Sequence, residues 1–146
     1  MKYVEIFYNL AIAFWVGGNA LFTFVLTPLL FKTEGRDVAG RIVGTLFPAY
    51  FRWGLACGAV ALICRLLLRG GKLELAAVLL IVMLATTSFQ AFYVAPKAAE
   101  LKAGIVSFET TPKDHPLRQQ FSRLHGVSAI CNLVVLAGGV VLVVLL

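Results

Sequence analysis

The sequence predicts an all-α membrane protein, a bundle of four transmembrane helices, and two properties of the 146-residue chain lead to this class. Its residues are 60% hydrophobic and only 14% charged, whereas a soluble domain has about 25% charged residues. The apolar residues also lie in four blocks, which is typical of membrane spans. The length allows one compact domain, so we expect a single four-helix domain over residues 1–146.

The four predicted spans differ in length. Span one, IFYNLAIAFWVGGNALFTFVLTPLLF, is interpreted as a retained span because it is long and has no A-x-A cleavage site. Span two is short, and we expect Arg65 to extend its charge to the interface. Span three ends at Pro96. The predicted spans cover about residues 6–31, 50–68, 75–95 and 119–146.

The connections between the spans predict further elements. Apolar residues between positions 38 and 47 have the spacing of a short amphipathic helix, which we expect to lie in the interface between spans one and two and to be stopped by Pro48. The segment RGGKLE, residues 69–74, predicts a tight turn that makes spans two and three antiparallel neighbours. KAAELKAG predicts an exposed helical extension closed by Gly104, and the following IVSFETTPKDHP predicts a loop.

A short internal repeat links the two halves of the chain. FVLTP ends span one and FYVAP ends span three, and each places a phenylalanine four residues before a proline. Phe47 precedes Cys57 by ten residues, as Phe121 precedes Cys131. The repeat predicts two related helical hairpins, spans one and two against spans three and four. Chance similarity is the alternative.

The basic residues predict the partner and the orientation. The formal net charge is +6, and the basic residues flank the apolar blocks. This arrangement is typical of contact with the lipid bilayer and argues against nucleic acid as a partner. Nine Lys and Arg residues lie in the first and third connections, against four elsewhere. We therefore expect the plasma (cytoplasmic) membrane, with both termini outside and the long connections in the cytoplasm.

Polar residues in three spans are predicted to lie at one depth. Asn19, Gln90 and Asn132 are roughly 13, 9 and 10 Å from the same membrane face, counted at 1.5 Å per residue along each helix. Lipid cannot satisfy their hydrogen bonds, so they should face one another. We predict a pocket that opens toward the first and third connections. Its predicted lining is His125, Ser128, Asn132, Asn19, Gln90 and Thr23, with Lys97, Arg123, Tyr50 and Tyr93 at its mouth.

Two alternatives to a pocket stay open. The polar residues could act only as hydrogen-bonded glue between helices, or His125 could relay protons because histidine titrates near neutral pH. The sequence also contains a GLACG segment, in which Gly54 and Gly58 form a small-residue face for a close helix neighbour. We expect this face to be available for a homo-oligomer.

The sequence does not identify a cofactor or a reaction. His125 is the one candidate metal ligand near the pocket, but a metal site needs two or more clustered ligands, and His115 lies on a loop. Haem would need a second axial ligand such as Met83, which lies far deeper in its span. Neither group is supported by ligand spacing, so the cofactor is unknown. Ser122 and Ser128 flank His125 without a nucleophile elbow, which favours a non-enzymatic protein.

Three segments carry a family resemblance. LFPAYF, APKAAEL and FSRLHGVSAICNLVVL resemble the transmembrane protein 205-like family, small four-span proteins that are largely a domain of unknown function. The resemblance implies a four-helix membrane fold and no defined chemistry. The WVGG of span one is also similar to membrane copper-resistance proteins and haem-binding membrane oxidases, but those groups place a histidine in span one, where this chain has Tyr8 and Asn9.

The leading functional hypothesis is therefore a membrane protein that binds a small solute or metal ion, or takes part in its transport. The alternatives are a haem- or quinone-linked redox protein and a structural accessory subunit of a membrane complex.

Overall fold

The computed structural model describes residues 1–68 and 73–145, and over these residues the chain is an all-helical bundle. Four helices are each long and apolar enough to cross a membrane, which confirms the predicted fold class and an integral membrane protein. The predicted turn at RGGKLE lies mostly outside the described residues. The helices are α1 (Lys2–Thr33), α2 (Arg36–Leu67), α3 (Glu74–Ala103) and α4 (Pro116–Val144).

The helices pack in a ring in which α1 contacts α2 and α4, and α3 contacts the same two helices. Helices α2 and α3 are antiparallel neighbours, as predicted, because Gly54 lies opposite Thr87 and Gly58 opposite Leu84. The apolar core at the end of the bundle that contains both chain termini includes Ile12, Leu80, Met83, Val135 and Leu142, all fully buried.

Glycines let the helices approach Trp15, the largest side chain of the core. A Cβ atom at Gly54 would lie 2.9 Å from the Trp15 indole nitrogen, and one at Gly58 would lie 2.6 Å from the indole ring. Both glycines are buried inside the chain. The predicted close approach is therefore correct, and the neighbour at this face is Trp15 of the same chain. A homo-oligomer stays a prediction.

The predicted interfacial helix between spans one and two is not a separate element. Arg36–Leu67 is one α-helix of 32 residues with Pro48 inside it. The buried face that starts at Ala39 and Val43 continues past Pro48 to Phe51 and Gly54 at helical spacing, so packing against the bundle outweighs the proline. At 1.5 Å per residue the helix is about 48 Å long, more than the roughly 30 Å of a hydrocarbon core.

Both α1 and α3 contain a π-helical turn, Phe22–Leu26 and Gln90–Val94 respectively. A proline ring clashes with the carbonyl group four residues earlier in a regular α-helix. For Pro28 that residue is Phe24 and for Pro96 it is Phe92, and each lies in the middle of its π turn. The wide turns accommodate the prolines, and the helix continues beyond Pro96 to Ala103, with Gly104 as its C-cap. The FVLTP and FYVAP repeat thus has a structural counterpart.

Candidate functional site

The structure brings the three predicted amide side chains together in one hydrogen-bonded layer. Gln90 donates from Nε2 to Asn132 Oδ1 at 3.0 Å and to Ser128 Oγ at 3.2 Å. Asn19 donates from Nδ2 to the Asn132 carbonyl oxygen at 3.4 Å. All three amides are buried, with at most 9% of the residue surface exposed. Helices α1, α3 and α4 are therefore joined at one depth.

Two further side chains complete this polar layer. Thr23 donates to Asn19 Oδ1 at 3.1 Å, and the Tyr50 hydroxyl donates to Asn132 Oδ1 at 3.3 Å. The Tyr50 ring stacks on Phe22 with the ring centroids 4.3 Å apart, which fixes the direction of its hydroxyl group. Because Tyr50 belongs to α2, all four helices contribute to the polar layer.

The space inside the polar layer is small. A cavity of about 10 Å³ lies beside Asn19, Gln90 and Tyr50, which is about the volume that one water molecule needs. Its walls include Trp15 and Thr87, two buried side chains that the polar stripes did not single out. Thr87 lies three residues before Gln90, on the same helix face, and that spacing was the available signal.

The remaining predicted site residues lie elsewhere. His125 is exposed and faces a different cavity. Tyr93 is 58% exposed and stacks on Phe89 on the outside of α3. Lys97 makes an exposed ion pair with Glu100 at 2.9 Å. Arg123 is also exposed. The structure therefore does not place Lys97, Arg123 and Tyr93 beside the polar layer.

A groove of about 1070 Å³, here called the α2–α3 groove, lies beside the polar layer. It is lined by side chains from residues 40–55 of α2, 91–103 of α3 and 121–128 of α4. One end reaches Ser128 of the polar layer, and the other reaches Lys102 near the loop before α4. Phe92 at its rim is 76% exposed, so the groove is open to the surroundings of the bundle.

Small residues on both walls create the α2–α3 groove. Gly40 and Gly44 line it on α2, and the nearest atom to a Cβ at either position would be the Lys102 ammonium, 3.5 and 3.7 Å away. On α3 the wall consists mainly of alanines at helical spacing. The part of α3 after the π turn, Ala95–Ala103, packs against α4. Its alanine face is therefore separated from α2 by the groove. The alanines that line the groove are Ala91, Ala95, Ala98, Ala99 and Ala103.

The loop between α3 and α4 is tied to the start of α2. Asp37 accepts a hydrogen bond from the Ser107 hydroxyl at 2.5 Å and one from the Phe108 backbone N–H at 2.7 Å. The Phe108 ring contacts Phe121 of α4 with the ring centroids 4.9 Å apart. These contacts fold the loop over one end of the bundle, next to the groove.

Metal-ligating side chains are not clustered in the described part of the chain. No group of three or more His, Cys, Asp or Glu residues there could hold a metal ion. The cysteines Cys57, Cys64 and Cys131 are free thiols.

Known sequences resemble this chain over most of its length. A domain of unknown function (DUF4149) matches residues 10–107. An uncharacterized protein from Aquifex aeolicus (strain VF5) is 34% identical over 125 residues, which cover 86% of this chain and 83% of the relative. No solved structure matches the chain.

Proposed function

This chain belongs to the DUF4149 family, and we propose that it is a membrane protein that binds an amphiphilic molecule of the bilayer in the α2–α3 groove. The observation that carries the proposal is the groove itself, a space of about 1070 Å³ with mainly apolar walls from three helices. Sites for small molecules typically have about 300–1,000 Å³ and apolar walls with a few polar groups.

The chemistry of the groove walls supports an amphiphile over a polar solute. Its middle is formed by alanine, proline and aromatic side chains, including Phe47, Pro48 and Phe51. Of its polar groups, Ser128 lies at one end, and Lys102 at the other end is joined by Arg41. Thr45 and Arg52 also line the groove and donate hydrogen bonds to carbonyl groups of their own helix, and His125 lies where the groove meets the second cavity. An elongated ligand with an apolar body and a polar end fits this distribution.

For the polar layer we propose a structural role within this function. Its amides bind one another and leave space for about one water molecule, so the layer holds the four helices in register beneath the groove. Solute or metal transport through the layer, a haem- or quinone-linked redox role and an accessory-subunit role stay predictions. The resemblance to the transmembrane protein 205-like family likewise stays a prediction.

The test is to fill the groove without disturbing the core. Gly44→Leu places a branched side chain in the groove, where its Cβ meets no atom closer than 3.7 Å. Ala99→Leu fills the same space from the α3 wall. Gly17→Leu is the matched control, because nothing lies within 4 Å of a Cβ at that position and Gly17 does not line the groove.

The measurement is the number of lipid molecules that each purified variant retains after mild detergent extraction, read by native mass spectrometry. We expect the wild type and Gly17→Leu to retain bound lipid, and both groove variants to lose it. Equal retention in all four proteins, with helicity unchanged, would contradict the proposal.

A further inference from the structure

A second cavity adjoins the polar end of the α2–α3 groove. It has about 430 Å³, and it is called here the basic chamber, after its four basic residues. Lys102, Gly40, Phe121 and His125 line both the chamber and the groove, so the two spaces meet there. The four basic residues of the chamber are Arg36, Lys102, Arg118 and His125, which α2, α3 and α4 contribute.

The chamber carries more positive than negative charge, because its three cations Arg36, Lys102 and Arg118 face the single carboxylate of Asp37, which interacts with Lys102 and Arg118. Within residues 1–68 and 73–145, neither the Arg36 nor the Lys102 side chain makes a direct hydrogen bond or a salt bridge within 4 Å. The adjacent carboxylate belongs to Asp37, and both of its oxygens accept hydrogen bonds from the loop. Arg118 is held in place by the Thr111 carbonyl group and the Phe108 ring.

An excess of cations at a membrane surface attracts anions, and basic pockets between transmembrane helices bind anionic headgroups. A guanidinium group presents several N–H donors in a plane, which suits a phosphate group. In this chain the Lys102 ammonium lies over Gly40 and Gly44, where the chamber opens into the apolar groove. An anion held there would have an apolar path directly beside it.

We propose that the ligand of the groove is an anionic phospholipid, with its phosphate headgroup in the basic chamber and an acyl chain in the α2–α3 groove. This inference rests on the proposed function and adds the class of ligand. The phosphate would contact Arg36, Lys102 and Arg118, which converge from three helices, and the acyl chain would extend toward Ser128.

The experiment measures competition for the groove. Purified wild-type protein in neutral detergent is loaded with a fluorescent phosphatidylcholine, and unlabelled phosphatidylglycerol or phosphatidylcholine with the same acyl chains displaces it. We expect phosphatidylglycerol to displace the probe at a concentration at least about tenfold lower, in line with the contribution of one or two basic groups near a surface.

Variants separate the chamber from general surface charge. Arg36→Gln and Lys102→Met should reduce the preference for phosphatidylglycerol to within about twofold. The readout is the ratio of the two displacing concentrations within each variant, because phosphatidylcholine carries the same phosphate group. Arg123→Gln is the control, because Arg123 is exposed and lies outside both cavities. It should keep the full preference.

The outcomes distinguish the inference from the proposed function. Equal displacement by phosphatidylglycerol and phosphatidylcholine would contradict a preference for an anionic headgroup. The groove would still be a site for amphiphiles. If Arg123→Gln lost the preference to the same extent, the preference would come from general surface charge. The chamber would then not be the headgroup site. Inorganic phosphate or a fatty acid could displace the probe as effectively as phosphatidylglycerol does. That result would contradict a phospholipid as the ligand. Failure of the wild type to hold the probe would instead contradict the proposed function.

Discussion

Replacing Asn132 tests the polar layer, because its side-chain oxygen accepts hydrogen bonds from Gln90 at 3.0 Å and from Tyr50 at 3.3 Å. Hydrogen bonds between transmembrane helices contribute about 0.6 kcal/mol on average and about 1.7 kcal/mol at most. The Asn132 amide also donates from Nδ2 to Thr23 Oγ1 at 3.5 Å. The three bonds lost in Asn132→Ala should therefore lower the free energy of unfolding by about 1–2 kcal/mol. The loss stays modest because Gln90 keeps the Ser128 hydroxyl and carbonyl oxygens as acceptors.

The assay is reversible unfolding in mixed micelles with increasing SDS, followed by circular dichroism. A double-mutant cycle with Gln90→Ala isolates the pair, since the cavities left by each alanine appear in the single variants and cancel in the coupling energy. We expect a coupling of about 0.6 kcal/mol. A coupling indistinguishable from zero would refute the direct hydrogen bond, and a loss above about 3 kcal/mol in Asn132→Ala would refute the statement that Gln90 keeps its partners.

Three further predictions concern packing, the loop and orientation. Gly58→Ala should lower the free energy of unfolding by about 1–3 kcal/mol, because its Cβ would lie 2.6 Å from Leu84 and Trp15. The control Gly126→Ala, with nothing within 4 Å of its Cβ, should stay within about 1 kcal/mol of the wild type. Equal effects of the two variants in the SDS assay would contradict the packing. Asp37→Ala should speed protease cleavage between residues 105 and 115, because two hydrogen bonds to the loop are lost; an unchanged cleavage rate would show that the loop does not depend on them. An alkaline phosphatase fused to the C-terminus should be active if both termini lie outside, as the distribution of basic residues indicates; an inactive fusion with an active cytoplasmic reporter would reverse the orientation.

The fold was largely predictable because apolar blocks of sufficient length leave few alternatives in a bilayer. The sequence did not predict the continuity of α2 through Pro48, because a proline is a helix breaker by local rules and only the bundle supplies the packing that outweighs it. The π turns were visible only as phenylalanines four residues before Pro28 and Pro96.

The candidate site was predictable in part. The depths of Asn19, Gln90 and Asn132 follow from counting residues along regular helices, and the structure joins these side chains. His125 and Asn132 share one face of α4, because seven residues make nearly two turns, but they are about 10 Å apart along the helix axis. At the level of His125 this face lines the groove and not the polar layer. The groove was missed because glycines and alanines at helical spacing usually indicate close packing, whereas here they line an open space.

The most direct test of the central claim is an electron cryomicroscopy map of the protein in nanodiscs that contain phosphatidylglycerol. We expect elongated density in the α2–α3 groove, which runs from Ser128 toward Lys102 and ends in a compact feature among the basic residues of the chamber. A groove closed by contact between Gly44 and the alanines of α3, or an open groove without such density, would contradict the account.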